Sequence, residues 1–159
     1  MKIIDKKLKG HIFQYVIQCI IATASLVFVL FYMDIIMETA VVASIGATSF
    51  IIFTMPHIYV SKPRVILGGY AVGTITGVLS NYLLVLEIGI PLNVIGAISV
   101  GLAMFIMVIS NTEHPPAAAL ALGIAIEGYT LNMLIFVYGV AITLLLIKWA
   151  LRKWLIDLL

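Results

Sequence analysis

Six apolar runs follow one another between Ile12 and Leu151, with only a few polar residues separating each from the next. They cover residues 12–33, 39–55, 65–86, 92–110, 115–126 and 131–151. A full membrane crossing takes about 20 apolar residues. The first, third, fourth and sixth runs reach that length or approach it. The second is short, and the fifth, at about 1.5 Å rise per residue, reaches only about 18 Å. A soluble domain is about 45–50% apolar and about 25% charged. This chain of 159 residues is 64% hydrophobic and 10% charged, too few polar side chains to cover a surface in water. The pattern predicts an all-α, polytopic transmembrane protein in a single domain, residues 1–159, with lipid as its main solvent.

The basic residues test whether the short runs cross. With six crossings and a cytoplasmic N-terminus, the inside set is Lys2, Lys6, Lys7 and Lys9, then Lys62 and Arg64, then Lys148, Arg152 and Lys153. That is all nine Lys and Arg of the chain. Asp34, Glu38, Glu87 and Glu127 then fall outside. Dropping either short run as a crossing puts a basic cluster on the wrong side, so the positive-inside rule favours six crossings with both termini cytoplasmic. The expected location is the cytoplasmic (inner) membrane of a prokaryote. The first run is too long for a signal-peptide core and reads as a retained helix. Trp149 and Trp154 mark the same interface as Lys148, whose long side chain can reach the headgroups. The net charge of +2 builds no basic surface for nucleic acid.

Gly69, Gly73 and Gly77 recur at i+4 in the third run, placing three glycines on one helix face. In lipid such faces bring backbones close together and drive helix association. The expected use is tight packing. Gly96 and Gly101 give the fourth run a weaker version.

The most informative stretch is Asn111-Thr112-Glu113-His114-Pro115-Pro116-Ala117-Ala118-Ala119. Two adjacent prolines cannot lie inside a helix but suit its first turn, so a helix is expected to start at Pro115 or Pro116. Its first amides, at Ala117, Ala118 and Ala119, would face Thr112, Glu113 and His114. A helix N-terminus carries roughly half a positive charge and bare donors, and so attracts anions. A second expected helix start lies at Ser44-Ile45-Gly46-Ala47-Thr48-Ser49, with Ser44 as N-cap and Gly46 allowing close approach. The order short–long, then long–short, is what an inverted repeat with half-helices meeting near the midplane would produce. The prolines around Pro56-His57 and Ser61-Lys62-Pro63-Arg64 forbid a continuous helix there, and Lys62 and Arg64 sit at the expected pathway mouth. His11 and His57 flank helices and read as interfacial. Three scattered histidines and the lone Cys19 lack metal-site spacing, so no metal or cofactor is expected.

Thr112-Glu113-His114-Pro115-Pro116-Ala117 resembles the signature of the HPP family of integral membrane proteins. Ala43-Ser44-Ile45-Gly46-Ala47-Thr48, and Lys62-Pro63-Arg64 followed by Gly68-Gly69, match in the same order. Some members from plants and cyanobacteria are described as nitrite transporters, so the resemblance implies an anion transporter. Where the family usually has Gln before Pro63, His after the paired glycines, and Ala-Gly after the signature, this chain has Lys62, Tyr70 and Ala117-Ala118.

The leading functional expectation is a transporter or channel for a small monovalent anion, nitrite first. Its expected binding residues are Ser44, Gly46, Ala47, Thr48, Ser49, Thr112, Glu113, His114, Pro115, Pro116, Ala117 and Ala118. Glu113 and His114 are titratable and suit proton coupling. Two alternatives stand beside it. One is an accessory subunit whose glycine face binds a partner helix. The other is a membrane-embedded enzyme using His114 and Glu113 as acid and base, although no nucleophile or cofactor motif accompanies them. A non-enzymatic homo-oligomer, dimer or higher, is expected.

Overall fold

The computed structural model describes residues 8–32, 39–85 and 89–159. Asp34, Glu38, Glu87, Lys2, Lys6 and Lys7, whose sides of the membrane the charge pattern assigned, lie outside these residues. Six α-helices dominate: α1 Leu8–Tyr32, α2 Thr39–Thr54, α3 Pro63–Val85, α4 Leu92–Ser110, α5 Pro115–Glu127 and α6 Leu131–Leu151. No strand occurs among the described residues, in keeping with the all-α expectation, and each apolar run forms one helix. Two helices, α4 and α6, combine 19 and 21 residues with mean hydropathies of 2.4 and 2.2, enough to cross a membrane. The other two short runs form α2, of 16 residues, and α5, of 13.

The shortest helix is the centre of the bundle. Ala117, Leu120, Ala121 and Ile124 of α5 have no exposure at all, because α2, α3 and α4 pack around it. Between its exposed ends, Pro115 and Glu127, the helix is built only of Pro, Ala, Leu, Gly and Ile, with no bulky polar group to keep its middle from being enclosed.

The glycine face of α3 is what lets α5 in. A Cβ on Gly69 would stand 2.5 Å from Cβ of His114, and one on Gly77 would stand 2.7 Å from Cβ of Ile124. On Gly73 it would overlap the Ala117 carbonyl. The tight packing expected of this face is therefore met inside the chain, and the face is not free for a partner helix. Gly96 of α4 is likewise closed off by Leu122, 2.7 Å from its would-be Cβ, whereas nothing approaches Gly101. The outer strip of α4, with Met104, Phe105, Val108 and Ile109, is exposed and faces where lipid would lie.

Lys62, Arg64 and Lys148 gather at one end. Lys148 Nζ donates to the carbonyl and the hydroxyl of Ser61, at 2.6 and 2.9 Å. Arg64 reaches the Ser110 carbonyl at 3.5 Å, so the α4–α5 linker lies at this end too. Asn81, far along α3, donates to the Ala125 carbonyl at 3.3 Å, which puts Glu127 at the opposite end. After α6 the chain folds back against α1 and α2. The Gln18 amide donates to the carbonyls of Phe53 and Ile156, at 2.7 and 2.9 Å, and accepts from the Ile156 amide at 3.2 Å. Leu155 and Leu158 are buried beneath, and Asp157 accepts from the His57 amide at 2.9 Å.

Candidate functional site

The linker from Asn111 to His114 reverses the chain between α4 and α5. Asn111 ends α4 in the left-handed conformation, at φ 51°, which Asn tolerates better than most residues. Pro115 and Pro116 occupy the first turn of α5, and His114 is its N-cap, at φ −124° and ψ 94°. The helix start is where the prolines placed it. Thr112 is buried; its hydroxyl meets Ser110 Oγ at 2.7 Å, and its methyl fills the notch left by Gly68.

His114 points into the bundle and is fully buried. Nε2 lies 2.9 Å from Thr48 Oγ1, and the ring meets Tyr70 edge-on, centroids 5.3 Å apart. Thr48 Oγ1 lies 2.6 Å from the Tyr70 hydroxyl, to which Ser44 Oγ donates at 3.1 Å. Ser44, Thr48 and Tyr70 are each at most 1% exposed. The Thr48 hydroxyl donates back to the Ser44 carbonyl at 3.0 Å, the i−4 bond helical threonines make. The Tyr70 hydroxyl also reaches the Ser44 carbonyl, at 3.3 Å, so Ser44, Thr48, Tyr70 and His114 form one continuous network. The Val60 carbonyl lies beside the ring, although Nδ1 has no partner in hydrogen-bonding geometry.

Three expectations are corrected here. Ser44 is not a helix start: α2 begins at Thr39 and runs through Ser44 unbroken to Thr54, because no proline or cap interrupts it. Gly46 and Ala47 do not approach the cluster. Turned about 100° per residue, α2 directs Ser44 and Thr48 inward, while Ala47 is exposed and nothing lies within 4 Å of a Cβ on Gly46. The α5 amides are not bare either. Pro115 and Pro116 have no N–H, and the Ala117 amide donates to the His114 carbonyl at 2.9 Å. The prolines that set the helix start also remove most of its anion-binding donors.

The other expected residues scatter. Ser49 is buried with an unpartnered hydroxyl. Glu113 and Ala118 are partly buried, Pro116 and Ala117 are buried, and Pro115 is exposed. Lys62 and Arg64 are exposed at the basic end, with Lys62 Nζ 5.5 Å above the Tyr59 ring. Tyr59 donates to the Asn111 carbonyl at 2.5 Å. Desolvation and the neighbouring Glu113 carboxylate push its phenol above the usual tyrosine range. His57 is exposed and pairs with Asp157 at 3.6 Å. No cluster of three metal-ligating side chains occurs among the described residues.

Tyr70 is the residue that sequence reasoning left out of the site. The signal was available: a phenol next to Gly68-Gly69, within an apolar helix, at a position where the resembling family usually carries another ring with polar atoms.

A family profile described as HPP, transmembrane region, matches residues 7–154. No curated protein and no solved structure matches the chain. The profile spans nearly the whole sequence, including the Thr112–Ala117 signature and the His114 cluster. The chain belongs to the HPP family of transmembrane proteins.

Proposed function

We propose that this protein passes small monovalent anions, nitrite first among them, through the membrane. The observation that carries the reading is the buried cluster of Ser44, Thr48, Tyr70 and His114. It concentrates neutral hydrogen-bonding groups from α2, α3 and the start of α5 at the centre of a transmembrane bundle. Bringing an anion out of water is costly unless several donors converge on it. Hydroxyls supply such donors without a fixed charge that would trap the ion. Among the described residues no Lys, Arg, Asp or Glu is fully buried, while Lys62 and Arg64 stand at the mouth, where cations raise the local anion concentration. The donors in this reading are side-chain hydroxyls, Ser49 included, in place of helix amides. Tyr70 closes the cluster in the present conformation, so passage requires α2 and α5 to separate.

The reading includes six crossings with both termini cytoplasmic. The short α2 packing on the short α5 at the centre supports an inverted repeat. We further propose that the protein works as a homo-oligomer in the cytoplasmic membrane. Two competing roles are less well supported. The glycine face that would hold a partner helix is occupied by α5, and His114 is enclosed with Nε2 committed to Thr48, a poor position for an acid–base catalyst.

The test is nitrite uptake into liposomes reconstituted with the purified protein. Uptake well above that of empty liposomes is expected. His114→Ala and Tyr70→Phe should lower it at least about tenfold, the loss that follows when a buried charge-assisted hydrogen bond of 1.5–3 kcal/mol disappears. His57→Ala should not. A folded protein that passes no nitrite, chloride or nitrate would refute the reading.

A further inference from the structure

The last carbonyls of a helix have no amide partner within it. At the end of α2 they are met by α1 and by the C-terminal tail. The Leu158 amide donates to the Thr54 carbonyl at 2.8 Å, and the Gln18 side chain donates to the Phe53 carbonyl at 2.7 Å. The same buried Gln18 grips Ile156 through both its N–H and its oxygen. Tyr15 donates to the Leu158 carbonyl at 2.5 Å. Asp157 accepts from the His57 amide, just beyond α2, and Leu155 and Leu158 are buried beneath. A non-helical segment is thus pinned to α1 and to the basic end of α2.

This segment has no slack. Only Arg152, Lys153 and Trp154 separate it from the end of α6. They form a turn in which the Trp154 and Leu155 amides donate to the Leu151 carbonyl, at 2.8 and 3.2 Å. Phe136, Val140 and Leu144 anchor α6 in the core. The end of α2 therefore cannot leave α6 while these bonds hold. Yet α2 is the helix that carries Ser44 and Thr48 to His114, and it must part from α5 for the cluster to open.

We propose that residues 155–159 are an autoinhibitory strap, which holds α2 on the bundle and keeps the His114 cluster closed. The strap can lift without disturbing the core, because its His57–Asp157 contact is open to solvent, with side-chain exposures of 55% and 31%. Peeling from Asp157 uncovers Leu158 and then frees the Thr54 carbonyl, so the hold on α2 is lost stepwise. That the strap inhibits rests on the reading that passage needs α2 and α5 to separate; that it holds α2 is measurable without any transport.

The test places a single cysteine at Ser44, with Cys19 replaced. Ser44 is fully buried and lies about 15 Å from Thr54 along α2, too far to be uncovered by fraying of the helix end alone. Modification by a small water-soluble methanethiosulfonate is timed in detergent, for the full chain and for a chain without residues 155–159. Several-fold faster modification is expected without the strap, with helical content unchanged. Gln18→Leu keeps the full length and should give a smaller rise in the same direction. Modification of both variants at the rate of the unaltered strap would overturn the proposal, whatever the uptake. In liposomes the shortened chain should take up nitrite several-fold faster. His57→Cys and Asp157→Cys, joined by a reducible bifunctional thiol reagent, should slow uptake, and reduction should restore it. Equal uptake with the strap joined, free and removed would overturn its inhibitory role. Faster thiol modification in a protein that passes no nitrite in any form would uphold the hold on α2 and refute the anion reading instead.

Discussion

Thr48 Oγ1 and His114 Nε2, 66 positions apart in the chain, lie 2.9 Å from each other in a fully buried cluster. The contact joins the middle of α2 to the N-cap of α5. Thr48→Val keeps the volume but strands His114 Nε2. Leaving a buried polar group unpaired costs about 1–3 kcal/mol, so a clear drop in Tm in detergent is expected. Thr48→Ser retains the hydroxyl and should recover most of the loss. Equal melting of the Val and Ser variants would show that the contact contributes nothing.

Gly73 and Gly101 make a matched pair. A methyl on Gly73 meets the Ala117 carbonyl, whereas one on Gly101 meets nothing within 4 Å. Gly73→Ala should destabilise the bundle by about 1–3 kcal/mol, the usual cost of overpacking. Gly101→Ala should be neutral or stabilising by up to about 1 kcal/mol, as expected for Ala over Gly in a helix. Thermal unfolding followed by circular dichroism compares them, and similar shifts for both would remove the α3–α5 contact as the cause.

Gln18 ties the C-terminal tail to α2: it makes two hydrogen bonds to Ile156 and one to the Phe53 carbonyl. Gln18→Leu strands the backbone groups of Phe53 and Ile156 inside the bundle. The tail beyond Trp154 should detach more often and become several-fold more sensitive to carboxypeptidase, with the helical content unchanged. Digestion at the original rate would mean that the other tail contacts, among them buried Leu155 and Leu158, the Leu158–Thr54 backbone bond and the His57–Asp157 contact, hold it without Gln18.

Side-specific labelling tests the crossings. With Cys19 replaced, single cysteines at Lys62, Glu127 and Lys153 report on the two ends of the bundle. An impermeant maleimide applied outside intact cells should label position 127 and spare 62 and 153. Labelling of 62 or 153 from outside would break the six-crossing topology.

Some of this protein was legible without coordinates, because the relevant forces act locally. Lipid solvent imposes long apolar runs, and proline and glycine punctuate them. The limits of α2 to α6 could therefore be read from neighbours a few positions away, and the start of α5 from Pro115-Pro116. The loss of that helix's donors was equally local: proline has no N–H. The glycine face of α3 announced a close contact through its i+4 spacing, but not its partner. Only the packed bundle decided that α5 fills it, that Ser44 sits mid-helix with Thr48 turned inward, and that Tyr70 completes the cluster. Those choices depend on the rotation and register of helices whose contacting residues lie 22 to 66 positions apart. Such phase is set by backbone approach at glycines and by the need to pair buried polar groups, which are properties of the whole bundle and not of any one segment.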